Sequence, residues 1–258
     1  MMNSKILWKA KKFQKNKSNL FKYEKFLFSK YKFKITQNYK NLLRWSIKNP
    51  KNFWSSVWDF SGIKGTKIEK FTLTKNLIKN KYLKKSKLNF AENLLTKKNN
   101  DKAITFISEN GFKEERTWRD LNLNVSNIQS FFKKLNLKPK ERVAAYLPNV
   151  IETVEFFLAT SSIGAIWSSC SPDFGTEGVK ERFSQIKPKV LFISDLYFYN
   201  GKKIDLINRI PQILKNIPSI KYLIIINYPG QKKFRNKYKF KNVITKNWND
   251  LIKSQLLK

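Results

Sequence analysis

The chain has 258 residues, a formal net charge of +35 from 53 basic and 18 acidic side chains, no histidine and one cysteine. Without imidazole, Ser-His-Asp and Cys-His nucleophile activation and every imidazole metal site are excluded, and a single thiol, Cys170, cannot close an intrachain disulfide. A hydrophobic share of 41% is ample for a core, while the lysines run along the whole chain, which favours a solvated surface over a nucleic-acid partner.

No apolar run approaches the roughly 20 residues of a membrane span. The start, MMNSKILWKAKKF, has no apolar signal core before its lysines, so no membrane partner and a cytoplasmic location are expected. Residues 18–62 carry helical spacing: Leu20, Tyr23, Leu27 and Tyr31, then Tyr39, Leu42, Leu43 and Ser46, then a helix opened by Asn49-Pro50 that carries Phe53, Trp54, Val57 and Trp58. Core packing against a neighbouring domain is the expected role of Trp45, Trp54 and Trp58. Residues 64–87 lack periodicity and read as a connection around a short strand at 71–73. In LNFAENLL, residues Leu88, Ala91, Leu94 and Leu95 fall on one face of a short helix. Asn110-Gly111 between two strand-like runs predicts a hairpin over 103–116. Thr117 with Asp120 is a capping box for a helix with the stripe Leu121, Val125, Ile128 and Phe132.

The stretch from Arg142 to Asp195 reads as strand, helix, strand, helix, strand, a parallel α/β unit. Its first strand is Val143–Leu147, closed by Pro148. Asn149 with Glu152 predicts a capped helix with the stripe Val150, Val154, Phe157 and Leu158, ended by Gly164. A second strand starts at Ala165–Trp167 and runs into the turn SSCSPDFG. Thr176 caps a second helix with the stripe Val179, Phe183 and Ile186, and a third strand runs from Val190 to Ile193. Ligands of open parallel sheets collect at the carboxyl ends of strands, so the turns after Leu147, Ser169 and Ile193 are where chemistry is expected. Cys170, beside three serines, reads as a packed residue rather than a nucleophile. Farther on, the turn Asn200-Gly201 followed by Lys202 and Lys203 can converge backbone amide and ammonium groups on an anion such as phosphate. A helix with Ile204, Ile207, Ile210 and Leu214, interrupted near Pro211, precedes a fourth strand at 222–226, and a last short helix is expected over 247–258.

YKNLLRWSIKNPKNFWSSVWDFSGI, LNFAENLL, RVAAYLPN, IGAIWSSCSPDFG, RFSQIKPKVLF and YNGKK, in this order and at these spacings, resemble the amino-terminal portion of the acetoacetyl-CoA synthetases, acyl-adenylate-forming enzymes. The resemblance implies a helical amino-terminal region over 1–95. A partial AMP-binding α/β domain would follow over 96–258, giving a truncated α/β fold. It also implies acetoacetate, ATP, Mg²⁺ and CoA as substrates and cofactors: the carboxylate attacks the α-phosphorus of ATP, and the CoA thiol then displaces AMP. In the related acetyl-CoA synthetases a short basic turn holds the 3′-phosphate of CoA, which carries over to Asn200, Gly201 and Lys202. The Ser/Thr/Gly-rich phosphate loop, the adenine and ribose motifs and the catalytic lysine of the family do not occur in these 258 residues. The resemblance therefore assigns no catalytic residue and no metal ligand here, and it implies a downstream polypeptide carrying the rest. Alternatives are an acetyl- or propionyl-CoA synthetase relative and a basic nucleic-acid- or partner-binding module.

Overall fold

The structure, a computed structural model, describes residues 7–231, 239–248 and 251. The chain divides into two compact units, residues 1–88 and 89–258.

The first unit holds α1 (Lys12–Lys17), α2 (Asn19–Tyr31), α3 (Tyr39–Lys48) and α4 (Pro50–Phe60). The Ser18 hydroxyl accepts from the Phe21 amide at 3.2 Å to open α2, and Lys32, left-handed at φ 56°, ends it. Asn38 caps α3 by accepting from the Lys40 amide at 3.0 Å, and Pro50 takes the first turn of α4, where its missing N–H costs no hydrogen bond. Tyr23, Leu27, Phe33 and Leu42 are buried together, with Phe26, Tyr31, Trp45, Phe53 and Val57 packed on them. Trp45 thus packs on this unit's own core, and Trp58 is buried. Trp54 is exposed and rests edge-on against Phe53 at 5.2 Å, and Leu20, Tyr39 and Leu43 also face outward, so the buried stripe is narrower than their spacing suggests. Beyond α4, β1 (Gly65–Thr66) pairs antiparallel with β2 (Lys87–Leu88). The strand expected at 71–73 is reduced to one bridge, Thr72 to Lys81.

The second unit opens with α5 (Phe90–Leu94), whose cap Asn89 accepts from the Glu92 amide and donates its side-chain amide to the Ser161 carbonyl at 2.9 Å. Only Ala91 of its expected apolar face is fully buried, and Leu88 and Leu94 are exposed. The predicted hairpin is β3 (Lys102–Ile107) and β4 (Lys113–Thr117), and α6 (Trp118–Lys134) follows, capped by Thr117 and buried along Leu121, Val125, Ile128 and Phe132.

A five-stranded parallel sheet is built from β5 (Arg142–Tyr146), β6 (Ile166–Cys170), β7 (Val190–Ser194), β10 (Tyr222–Ile226) and β11 (Ile244–Asn247). Helices α7 (Ile151–Ser162) and α8 (Thr176–Ile186) cross between its first strands. An antiparallel hairpin, β8 (Leu196–Tyr199) with β9 (Lys202–Asp205), and then α9 (Ile210–Asn216) lead from β7 to β10. The order across the sheet is β11, β10, β7, β5, β6. The chain thus steps from β5 to β6 in one direction and from β6 back past β5 to β7 in the other. Right-handed crossovers then place α7 and α8 on opposite faces and put the topological switch between β5 and β7. Val143–Tyr146 and Val190–Ile193 have no solvent exposure, because both strands are covered on two faces. β6 forms one margin of the sheet, with Ile166 and Ser169 exposed. Phe156 of α7 stacks on Phe192 of β7 at 3.8 Å, and Trp248 meets Phe156 edge-on at 4.8 Å.

Several local expectations shift. No side chain caps α7, which begins after Val150 rather than Asn149, and the Thr153 hydroxyl instead donates to the Pro148 carbonyl at 2.8 Å. Its buried face is Ile151, Glu155, Phe156, Leu158, Ala159 and Thr160, because α5 and α6 cover it as well as the sheet. Gly175, not Thr176, is the cap position of α8. Pro211 sits in the first turn of α9 and so opens that helix rather than interrupting one, and Ile204 belongs to β9. The helix expected over 247–258 falls largely outside the described residues.

The acid buried in α7 has partners of its own. Glu155, 1% exposed, accepts from Arg116 Nε at 3.0 Å and from Asn124 Nδ2 at 2.7 Å, which joins α7 to β4 and α6. Arg116 also reaches Glu114 at 3.0 Å. Burial pushes the Glu155 carboxyl above the usual range, and the Arg116 guanidinium opposes that rise. Glu152, one turn earlier, keeps some exposure as a residue, yet its Oε2 is buried with no hydrogen-bond partner. Burial, and after it the nearby Glu155 and Glu114 carboxylates, raise Glu152 to about 7.

A carboxyl raised in the folded state holds its proton while the unfolded chain has lost it. Glu152 therefore lowers stability progressively as pH rises from about 4.5 to about 7, and by a constant amount above that. Glu152→Gln, which keeps the neutral shape, should stabilise the fold by about 1–2 kcal/mol at pH 8 and by little at pH 4.5, as read from urea midpoints at the two values. Phe192→Ala, which removes the stacked ring at the sheet centre, should cost about 3–5 kcal/mol in the same measurement at either pH.

Candidate functional site

The turns at the carboxyl ends of the strands are where a doubly wound sheet offers a site, and at the end of β5 the loop after β6 and Arg209 meet at one buried hydroxyl. Tyr146, the last residue of β5, is buried and donates its hydroxyl to the Pro172 carbonyl at 3.0 Å and to that of Phe174. Arg209, just before α9, donates Nη1 to the Pro172 carbonyl at 3.0 Å, to the Phe174 carbonyl at 3.3 Å and to the Tyr146 hydroxyl oxygen. The loop after β6, part of WSSCSPDFG, is thereby held over the rim by its carbonyls. Within it Ser171 donates to Asp173 at 2.7 Å, and the Arg182 guanidinium lies 4.3 Å from the Phe174 ring centre. Burial raises the Tyr146 phenol, with Arg209 opposing. It remains a neutral donor at any physiological pH. Cys170 is buried and its thiol is pushed up by burial, the environment of a packed residue and not of a thiolate nucleophile.

Asp195, directly after β7, is the second buried group at this rim. Its Oδ1 accepts from the Tyr228 amide at 2.8 Å and its Oδ2 from Asn227 Nδ2 at 3.0 Å. Its own amide donates to the Ile226 carbonyl and its carbonyl accepts from the Leu206 amide, both at 2.9 Å. Burial pushes this carboxyl up, and the hydrogen bonds pull it back. The residue fixes both ends of the β8–β9 hairpin and the start of the loop after β10.

That hairpin carries the predicted anion turn. Asn200 and Gly201 are both left-handed, at φ 50° and 72°, the two-residue turn that matches strand twist. Tyr199, Lys202 and Lys203 are exposed. In β9 the two lysines alternate in direction, and Lys203 is the one whose charge reaches Asp195, which leaves Lys202 at the tip. A backbone amide beside an ammonium is a donor set suited to phosphate oxygens. The Gly201 amide, however, donates to Glu109 Oε2 at 3.1 Å, across from the tip of the β3–β4 hairpin. Glu109 was not among the residues singled out by the sequence. Its only signal there is an acid directly before Asn110-Gly111, which says nothing about what lies opposite. Among the described residues no group of three or more His, Cys, Asp or Glu could hold a metal ion, and no helix is long and apolar enough to cross a membrane.

Residues 91–251 match the AMP-binding enzyme family. The chain is 40% identical over 196 residues to the acetoacetyl-CoA synthetase of Xenopus tropicalis, covering 74% of this chain and 29% of that protein. It is 38% identical over 201 residues to the acetoacetyl-CoA synthetase of Macaca fascicularis, covering 76% of this chain and 30% of that one. Among solved structures, an acetoacetyl-CoA synthetase from Streptomyces lividans superposes with a TM-score of 0.85 at 25% identity, over 96% of this chain and 38% of its own. The chain thus spans about 30% of the length of the curated relatives it matches. A sheet ordered with its switch between β5 and β7, and a sequence match over most of the second unit, agree: the chain belongs to the AMP-binding enzyme family.

Proposed function

We propose that this chain supplies the amino-terminal portion of a cytoplasmic acetoacetate–CoA ligase, which converts ATP, acetoacetate and CoA to acetoacetyl-CoA, AMP and pyrophosphate. The observation that carries the reading is the 38–40% identity, over about three quarters of the chain, to proteins named acetoacetyl-CoA synthetase. Such a reaction needs neither imidazole nor a reactive thiol from the protein, since orienting the carboxylate on the α-phosphorus and stabilising charge do most of the work. A sequence without histidine and with a buried Cys170 is compatible with that chemistry.

Within this proposal the β8–β9 turn, Asn200, Gly201 and Lys202, contacts the 3′-phosphate of CoA, with Lys202 as the point charge. The sheet and its buried rim form the scaffold that sets the turn in place. ATP, with the Mg²⁺ it carries, and acetoacetate are held by polypeptide beyond these 258 residues, which supplies the phosphate loop and the catalytic lysine implied by the family resemblance.

Pyrophosphate exchange driven by acetoacetate tests this division of labour. Exchange is expected when the chain is joined or mixed with a polypeptide carrying the rest of the ligase, and is expected to be absent with the 258 residues alone. Acetoacetate turnover by the chain unaided would refute the division, and equal exchange with acetate would refute the substrate. In the complete enzyme Lys202→Glu should raise the KM for CoA roughly tenfold and leave adenylation within about twofold. Equal losses in both half-reactions would remove Lys202 from the CoA site.

A further inference from the structure

The tips of two hairpins meet at the proposed phosphate turn. Glu109 leads the β3–β4 turn, Gly201 ends the left-handed pair of the β8–β9 turn, and the amide of one donates to the carboxylate of the other at 3.1 Å, although 92 residues separate them. The meeting is held by packing as well as by that bond. The Tyr228 ring lies 6.3 Å from Phe106 of β3, edge-on, and 5.4 Å from Phe198 of β8, so both hairpins rest on one buried aromatic. Gly230, two residues on, sits so close under Phe112 that a Cβ would lie 2.6 Å from the ring. The Tyr228 phenol is raised by burial first and by the Glu109 charge second, which places that carboxylate near the aromatic support as well as at the turn.

A carboxylate and a phosphate monoester ask for the same donors. Each accepts from backbone N–H at a turn and each is drawn to an adjacent ammonium. We propose that Glu109 is a built-in competitor at this turn, an internal anion that holds the Gly201 amide until the 3′-phosphate of a ligand displaces it and so sets how strongly the turn discriminates ligands with a 3′-phosphate from those without one. The inference rests on the reading of residues 200–202 as a phosphate contact. A ligand phosphate must break the Glu109 bond and push an acidic side chain aside, so affinity for phosphorylated ligands is lower than Gly201 and Lys202 alone would give. A ligand without the 3′-phosphate does not meet Glu109 and gains nothing from its removal.

Adenosine 3′,5′-bisphosphate and adenosine 5′-monophosphate serve as probes, titrated calorimetrically at one fixed salt concentration into the 258-residue protein and into three variants. Glu109→Gln keeps an acceptor for the Gly201 amide and removes only the charge, Glu109→Ala removes both, and Lys202→Glu tests the underlying site. The bisphosphate should bind about three- to tenfold more tightly to both Glu109 variants, with the monophosphate unchanged, and more weakly to Lys202→Glu. Loss of bisphosphate affinity in Lys202→Glu with no gain in either Glu109 variant overturns the competitor role and leaves the phosphate turn standing. Unchanged affinity in Lys202→Glu removes the phosphate turn itself, and the competitor with it. Unchanged affinity in Glu109→Gln together with a lowered melting temperature assigns Glu109 to fastening two hairpins and likewise overturns the proposal.

Discussion

One buried carboxylate organises the rim of the sheet. Asp195 follows the central strand β7, and each of its polar groups is engaged: amide to Ile226, carbonyl from Leu206, and carboxylate oxygens from Tyr228 and Asn227. Removing an acid from water costs several kcal/mol unless its oxygens are met, and here they are met by the segment that must be held. The residues between Asp195 and Leu206 are thereby closed into a loop whose free end is the Asn200-Gly201 turn. The clamp thus acts together with the Glu109 bond and the Tyr228 packing to position that turn beside the β3–β4 hairpin.

The same economy appears at Glu155. An acid in the middle of a helix face that packs on a sheet would be a defect, yet Arg116 and Asn124 arrive from two other elements to pair with it. Breaking such a pair leaves an uncompensated buried charge, so the contact ties β4 and α6 to α7. Glu152 lacks such a partner on Oε2 and holds its proton up to about pH 7.

What the sequence revealed follows from which physical signals are local. Thr117 with Asp120, the Asn110-Gly111 turn and the apolar runs of β5, β7 and β10 all lie within a few residues of their cause, and each element formed where expected. Asn149 failed as a cap although its spacing to Glu152 was right, because local chemistry competes with burial and Glu152 is drawn inward. The β8–β9 hairpin was half legible. Asn200-Gly201 marked the turn, but Leu196–Tyr199 is only four residues long and Lys202–Asp205 is both short and mostly charged, so neither announces a strand. The edge strand β11 gave no signal, its alternation of Ile244, Thr245, Lys246 and Asn247 being that of many loops. At the rim, the turn at Asn200-Gly201 was readable as a turn, whereas Glu109, Arg209 and Tyr228 come from distant parts of the chain and only the fold brings them to the rim.

The position of β6 at the margin of the sheet carries a consequence for how the backbone breathes. Strands β5 and β7 are bonded on both sides, so their amide protons can trade with solvent deuterium only when the sheet opens as a whole. In β6, whose one partner strand among the described residues is β5, the Ile166 amide donates to the Glu141 carbonyl while alternate amides, that of the exposed Ser169 among them, point away from β5, and these are expected to exchange faster. Two isotopic populations therefore coexist within one five-residue strand, and the slow one reports on the cohesion of the sheet while the fast one reports only on its border.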